Sequence, residues 1–240
     1  MCSSFLIFIA HDQTGGSTQF ISTADAGQIA SIAVVNTTLG GATGCITALF
    51  SDAARTYKQI GELQLNISLG LNGALAGLVG ITGCCAVIEP WAAVLIGFIS
   101  GIFYLLCTDL LIKLRIDEAI DSIPVHMFGG VWGMVATGLF ASPRKMQLVY
   151  GQDDHVGLFY ALARQGADAK LLAANIVGVL YIMAFATAFM APFFFILHKL
   201  GWFRADAVEE LVGLDSYMTG AADANAVEVT MDSMRELGRE

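Results

Sequence analysis

The sequence predicts an all-α protein that crosses a membrane several times. Hydrophobic residues make up 56% of its 240 residues and charged residues only 14%, with a mean hydropathy of +0.67. Soluble domains carry about 25% charged residues, so this chain lacks the polar surface that water requires. Its apolar runs are long enough to cross a hydrocarbon core of about 30 Å. They are also continuous, without the alternation of outer-membrane strands, and this favours helices over a barrel.

Turn-forming and polar stretches divide the chain into three predicted regions. We expect a partial helix and a polar break over residues 1–28, a membrane domain over 29–200, and a cytoplasmic tail over 201–240. The apolar runs predict five spanning helices in the membrane domain, at about 29–50, 63–88, 91–114, 119–140 and 171–197. Residues 142–170 are expected to form the longest loop.

The positions of lysine and arginine predict the orientation, because these residues are concentrated in cytoplasmic loops. Two follow the first span, none lies at the Glu89-Pro90 turn, two lie at 113–115, and two lie at the start of the tail. This alternation predicts a cytoplasmic C-terminus, although the four basic residues in 142–170 oppose it. The net charge of −9 comes mostly from the acidic tail. Without a basic stripe, nucleic acid is not an expected partner.

Cysteine and histidine spacing gives no indication of a metal site or a cofactor. Five cysteines are present, but none forms a Cys-x-x-Cys pair or a Cys/His ligand pattern. Four of them lie within apolar runs, where a free thiol behaves as a small hydrophobic group. We therefore expect neither a bound metal nor a cofactor.

The run from Asp117 to Phe140 contains the strongest functional candidate. It is almost wholly apolar from Ala119 onward, yet it carries Asp121 and His126. An ionisable side chain in such a run is costly unless it faces protein or a water path, so His126 is a candidate site residue. Its glycines permit close helix approach or leave a narrow lumen. The alternative is a core histidine that bonds to a neighbouring carbonyl group.

Several motifs along the chain, taken together and in their order, give it a specific resemblance to a known family. They are Asn36–Thr38, Asn72–Val79 (NGALAGLV), Asp121 followed by Val125–Gly133 (VHMFGGVWG), Gly138–Phe140, and Gly213–Asp215. With these motifs, over roughly residues 15–215, the chain resembles the ammonium transporter (Amt/Mep/Rh) family. The resemblance implies eleven spanning helices, built as two inverted five-helix repeats and a final long helix, with trimers that have one pore per subunit.

Compared with that family, the chain corresponds to the C-terminal half: the second five-helix repeat and the final long helix. We therefore expect a truncated member or an incomplete gene model. The helix that would carry the first of the two pore histidines of the family is absent, and so is the aromatic segment before the Gly-Ser of the sixth helix. In the tail, the His-Gly that usually follows Gly-Leu-Asp is replaced.

The resemblance also implies roles for individual residues. His126 would be one half of the histidine pair that lines the pore, Ser17 would help to recruit the cation at the outer mouth, and Trp132 would either line the pore or pack between helices. The residues expected to support the pore are Asp121, Asn72 and Asn36, and those expected to act in regulation by the tail are Gly213 and Asp215.

These residues favour a transport function: movement of ammonium or ammonia through a histidine-lined pore in the plasma membrane. The expected partners are the lipid bilayer and either two identical chains or related subunits in a hetero-trimer. An alternative is a non-conducting regulatory or sensor subunit that assembles with complete ammonium transporters. An intramembrane serine hydrolase using Ser68 and His126 is a third hypothesis. Because the chain has no Gly-x-Ser-x-Gly motif and no evident oxyanion element, we do not expect an enzyme.

Overall fold

The computed structural model describes residues 23–116, 118, 120–164 and 168–203. Within these ranges the secondary structure is helical, with no strand. The helices are α1 (Thr23–Ile60), α2 (Ile67–Thr82), α3 (Pro90–Leu114), a π-helical turn (Ile123–Phe128), α4 (Gly129–Phe140), α5 (Pro143–Tyr150), α6 (Leu158–Ala163) and α7 (Lys170–Lys199). The all-α prediction is confirmed.

Glycines bring α1, α2 and α3 together at the level of the backbone. A Cβ atom on Gly44 of α1 would lie 2.5 Å from the carbonyl oxygen of Gly73 on α2. A Cβ atom on Gly101 of α3 would lie 2.8 Å from the carbonyl oxygen of Gly44. Small residues at such crossings allow close packing between spanning helices. These three helices form the frame on which the residues after α3 are held.

Helix α2 is shorter than the predicted span 63–88. It ends at Thr82, and the chain then turns over residues 83–88 before α3 begins. The side chain of Asn36 compensates for this early end, because its Nδ2 donates hydrogen bonds to the carbonyl oxygens of Cys85 at 2.8 Å and Ile88 at 3.0 Å. Irregular backbone at membrane depth needs such internal partners.

Four helical segments are long and apolar enough to cross a membrane: Ala26–Ile60, Pro90–Leu114, Ile123–Phe140 and Lys170–Lys199. Helix α2 is apolar but has only 16 residues. The number of actual crossings, and the three-region division of the chain, stay predictions. These long apolar helices nevertheless define an integral membrane protein.

Two stretches that were expected to be polar connections contain helix. Helix α1 continues to Ile60, and Arg55 in its last part pairs with Asp109 of α3 at 2.6 Å. In the loop expected over 142–170, helices α5 and α6 form. The amide groups of Ser142 and Gly157 tie this segment to the carbonyl oxygens of Val87 (2.8 Å) and Ala141 (2.9 Å).

The chain divides into two units within α7, after Leu180. In the first unit, the core is built from buried residues of α1, the end of α2, α3 and α4. In the second, the described residues 181–203 carry a run of aromatic rings; the centroids of Phe185 and Phe189, for instance, are 4.7 Å apart.

Candidate functional site

Three polar side chains meet where the chain enters the π-helical turn. Asp121 precedes the turn, Asn72 lies on α2 and Tyr104 lies on α3. The Tyr104 hydroxyl donates to Asp121 Oδ2 at 2.7 Å, and Asn72 Nδ2 donates to the same oxygen at 2.9 Å. Asn72 Nδ2 also lies 3.3 Å from the Tyr104 hydroxyl oxygen. We call this group the Asp121 junction. It places a carboxylate among apolar helices with two donors aimed at it.

The backbone at Asp121 has an unusual conformation. Its φ is 53°, in the left-handed region, which aspartate and asparagine tolerate better than most residues. Its carbonyl oxygen accepts a hydrogen bond from the amide of Val125 at 3.1 Å. The side chain and the backbone of one residue therefore fix the start of the segment that carries His126.

Glu118, which lies in the coil before the turn, stabilises the same segment. Its Oε1 accepts a hydrogen bond from the amide of Ser122 at 3.0 Å, and its Oε2 accepts one from the amide of Ile123 at 3.3 Å. A helix begins with amide groups that have no partner within the helix, and a carboxylate beside them is favoured. Glu118 thus acts as the cap of the π-helical turn.

The turn that carries His126 is itself a rare element. π-helical turns occur mostly as single turns within α-helices, frequently at functional sites. Here Pro124 and Val125 are buried, whereas His126 and Met127 are exposed. The His126 ring makes no hydrogen bond to another described residue, so both of its nitrogens are available for hydrogen bonding. The ring is exposed among the described helices, and its place in a pore stays a prediction.

Trp132 lies on α4, the helix that follows the π-helical turn, and packs between helices. Its indole Nε1 donates to the carbonyl oxygen of Ile96 at 3.2 Å, and its ring meets Phe103 edge-on at 5.5 Å between centroids. A Cβ atom on Gly80 would lie 3.2 Å from Trp132 Cδ1, so α2 leaves room for the indole ring. The indole is thus used in packing, and its role in lining a pore stays a prediction.

Asn36 lies away from this junction, where α1 meets the turn after α2. It is fully buried, and its Oδ1 finds no hydrogen-bond donor among the described residues. Ser17, Gly213 and Asp215 lie outside the described residues. The structure therefore brings Asn72 into contact with Asp121, which precedes His126 by five residues. It places Trp132 and Asn36 elsewhere in the packing.

The sequence analysis did not single out Tyr104 or Glu118 as site residues. A signal for Tyr104 existed, because a tyrosine in an apolar helix needs a partner for its hydroxyl group. Glu118 offered less, since an acidic residue before a helix is common on any protein surface. Among the described residues, no group of three or more histidine, cysteine or acidic side chains is placed to hold a metal ion.

Outside the long apolar helices, the pKa values of Asp168 and Tyr160 are shifted, and both residues lie in the 142–170 segment. The amide of Lys170 donates to Asp168 Oδ1 at 2.9 Å and lowers the pKa of that carboxyl group, with further lowering from the Lys170 charge and from His155. Burial raises the pKa of the Tyr160 phenol, and the negative charge of Glu89 adds to this effect. Both shifts belong to the connection that leads from α4 to α7.

Long apolar helices with glycine contacts between them define a helical integral membrane protein, and a polar junction lies at its π-helical turn. The family model described as "Ammonium Transporter Family" matches residues 15–224. The chain belongs to the ammonium transporter family. This finding confirms the resemblance on which the residue assignments were based.

Curated relatives show the same family at moderate identity. The chain is 35% identical to ammonium transporter 1 member 4 of Arabidopsis thaliana over 211 residues, which are 87% of this chain and 39% of the relative. It is 36% identical to ammonium transporter 3 of Dictyostelium discoideum over 189 residues, covering 77% of this chain and 40% of that protein. The chain thus spans about two fifths of the length of these relatives.

Solved structures match the fold. The crystal structure of Candida albicans Mep2 is similar with a TM-score of 0.61 and 26% identity, over 74% of this chain and 36% of that one. A structure described as a sensor Amt protein is similar with a TM-score of 0.58 and 27% identity, over 89% of this chain and 47% of the other. The helical arrangement is therefore that of ammonium transporter structures.

Proposed function

We propose that this chain forms one half of a pathway for ammonium or ammonia, with His126 facing that pathway. The observation that carries the proposal is the placement of an exposed imidazole in an apolar segment, on a π-helical turn in which Pro124 and Val125 are buried. The names of the relatives supply the substrate, because they are ammonium transporters.

The physical task is to move a small cation, or its neutral base, through a medium of low dielectric constant. Transfer of an isolated ammonium ion into such a medium costs tens of kcal/mol in the Born picture. A protein avoids most of that cost by separating the proton from ammonia, or reduces it with oxygen acceptors, aromatic faces and an imidazole along a narrow path. The ring of His126 offers both a donor and an acceptor for this purpose.

The proposed pathway needs more helices than the described part of this chain contains. The chain spans 39% of one relative and 40% of another, and His126 leaves its ring open on the surface of the described helices. We propose that a matching set of helices, from the rest of the gene product or from a related subunit, closes the path. In this proposal the protein assembles as a trimer in the plasma membrane, with its C-terminus in the cytoplasm.

Uptake of ¹⁵N-ammonium by cells that lack their own ammonium transporters tests this proposal. The natural gene product is expressed as wild type, as His126→Ala and as His126→Glu, with His155→Ala in the exposed loop as the matched control. We expect uptake by the wild type and the control, loss with alanine, and altered selectivity between ammonium and methylammonium with glutamate. Uptake that His126→Ala leaves unchanged would refute the role of His126.

A regulatory or sensor subunit is the second candidate, favoured by the similarity to the sensor Amt protein over 89% of this chain. In this case the chain carries no flux alone but joins complete transporters and changes their rate. Co-expression with a complete homologue, followed by co-purification and uptake measurement, separates the two candidates. No co-purification and unchanged uptake would exclude the regulatory role.

A further inference from the structure

The direction of His126 departs from the direction that an α-helix would give it. In an uninterrupted α-helix, positions 126, 129 and 133 are three and seven residues apart and share one face. Gly129 and Gly133 form the face of α4 that packs on α2: a Cβ atom on Gly133 would lie 2.7 Å from the carbonyl oxygen of Gly80. Regular α geometry would therefore turn His126 toward α2. In the structure the ring is exposed instead.

The π-helical turn accounts for this difference. It accommodates one residue more than an α turn, so side chains within it are rotated relative to those of α4. Val125, which is 2% exposed, occupies the packed face, in a cluster with Tyr104 and Ala76. His126, the next residue, is rotated away from that face. The extra residue of the turn thus accounts for the exposure of His126, while Val125 stays packed.

Two anchors hold the extra residue in place. The anchor after the turn is the contact of Gly129 and Gly133 with α2, which fixes the rotation of α4. The anchor before the turn is the Asp121 junction, in which Asn72 of α2 and Tyr104 of α3 hold Asp121. Asn72, Ala76 and Gly80 are spaced by four residues, so the two anchors lie along one face of α2. The segment between them is therefore held at both ends.

We propose that Tyr104 and Asn72 are positioning residues: through Asp121 they hold the π-helical turn and so set the direction of His126. The effect of this positioning on selectivity rests on the proposed function, since the direction of the His126 ring matters for transport only if the ring faces the path. The positioning itself is a property of the helices. Without the two donors, the turn relaxes to α geometry and His126 moves toward α2.

Chemical modification of the purified 240-residue chain in detergent tests the inference. Diethyl pyrocarbonate modifies accessible imidazoles, and mass spectrometry gives the rate at His126 relative to His155 in the exposed loop. Tyr104→Phe removes one hydroxyl group and keeps the ring. The matched control is Tyr181→Phe, because Tyr181 is exposed and its hydroxyl group has no hydrogen bond to another described residue.

We expect the relative rate at His126 to fall by about tenfold in Tyr104→Phe and Asn72→Leu, because loss of a hydrogen bond to a charged group shifts an equilibrium by roughly that factor or more. The Tyr181→Phe control should keep the wild-type ratio. A ratio in both junction variants equal to that of the control would overturn the inference. A loss of stability alone would not move the ratio in the folded protein.

A second pair of variants decides the matter if Tyr104→Phe and Asn72→Leu do not purify as folded proteins. Asp121→Asn keeps a side-chain oxygen and tolerates the left-handed backbone, whereas Asp121→Ala removes the acceptor. A ratio kept in the asparagine variant and lost in the alanine variant supports the inference, and equal ratios in the two overturn it. Since labelling does not depend on flux, a wild-type protein without ammonium uptake would remove the proposed function and leave this result standing.

Discussion

Gly44 on α1 and Gly73 on α2 meet backbone to backbone, and a Cβ atom on Gly44 would lie 2.5 Å from the Gly73 carbonyl oxygen. Real Cβ atoms do not approach a backbone oxygen so closely, and neither helix can yield without moving the other. The contact fixes how α2 is rotated against α1. Through α2 it also fixes the face that carries Asn72, and hence the site.

Substitution at this contact should therefore disrupt the packing of the first three helices. Overpacking typically costs about 1–3 kcal/mol, and more where the obstacle is backbone. We therefore expect Gly44→Val to lower the free energy of unfolding by at least that amount, and with it the thermal midpoint of the purified protein. Gly130→Ala is the matched control, because nothing lies within 4 Å of its added Cβ atom. A thermal midpoint in Gly44→Val that equals that of Gly130→Ala would contradict the account.

The buried amide of Asn36 should be a second sensitive position. Asn36→Leu removes the Nδ2 group that donates to the carbonyl oxygens of Cys85 and Ile88, and it removes the hydrogen bond that Ile88 accepts from this side chain. An unsatisfied buried polar group costs about 1–3 kcal/mol, so we expect a destabilisation of that order in equilibrium unfolding. Thr38→Val serves as the control, because its hydroxyl group is exposed and bonds only within its own helix. Equal stability of the two variants would show that the turn after α2 does not need the amide.

The ion pair between Arg55 and Asp109 should contribute little, although its atoms are only 2.6 Å apart. Both side chains are about two fifths exposed, at 39% and 41%. Exposed pairs are typically worth about 0.2–1 kcal/mol because solvent screens them. A double-mutant cycle with Arg55→Met and Asp109→Asn should give a coupling energy in that range, reduced by high salt. A coupling several times larger would mean that the pair is far less hydrated than its exposure indicates.

The carboxyl group of Asp168 should make stability depend on acid pH. Its pKa is lowered in the folded chain, mainly by the amide of Lys170, so the charged form favours folding. This contribution is present above the unfolded pKa of about 3.8 and is lost as the pH falls through the lower, folded pKa. We expect Asp168→Asn to melt below the wild type at pH 7 and to match it at the acid end. A difference that persists unchanged at low pH would assign the effect to something other than the charge.

The sequence could locate the candidate site but could not determine its geometry. Asp121 and His126 stand out because ionisable residues are rare in apolar runs. That Asn72 touches Asp121, 49 residues away, depends on the rotation of α2, which the glycine contacts set only in three dimensions. The π-helical turn could not be predicted either, since the apolar pattern was interpreted with the period of an α-helix.

Helix ends were also hard to predict, for a physical reason. Residues 53–60 are polar enough to suggest a loop, yet alanine, arginine, lysine and glutamine are good helix formers. Ala53 is buried at 1% exposure, so the buried face of α1 continues past the last apolar run. In contrast, Gly83 and the turn after it end α2 within a run that hydropathy treats as continuous.

The most direct test of the central claim is a structure of the assembled protein in lipid, with the environment of the His126 ring as the measured quantity. We expect the ring to line a narrow lumen, with at least one ring nitrogen open to that lumen and the Asp121 junction intact beside it. A ring that faces the acyl chains, or one that is sealed among side chains far from any lumen, would contradict the account.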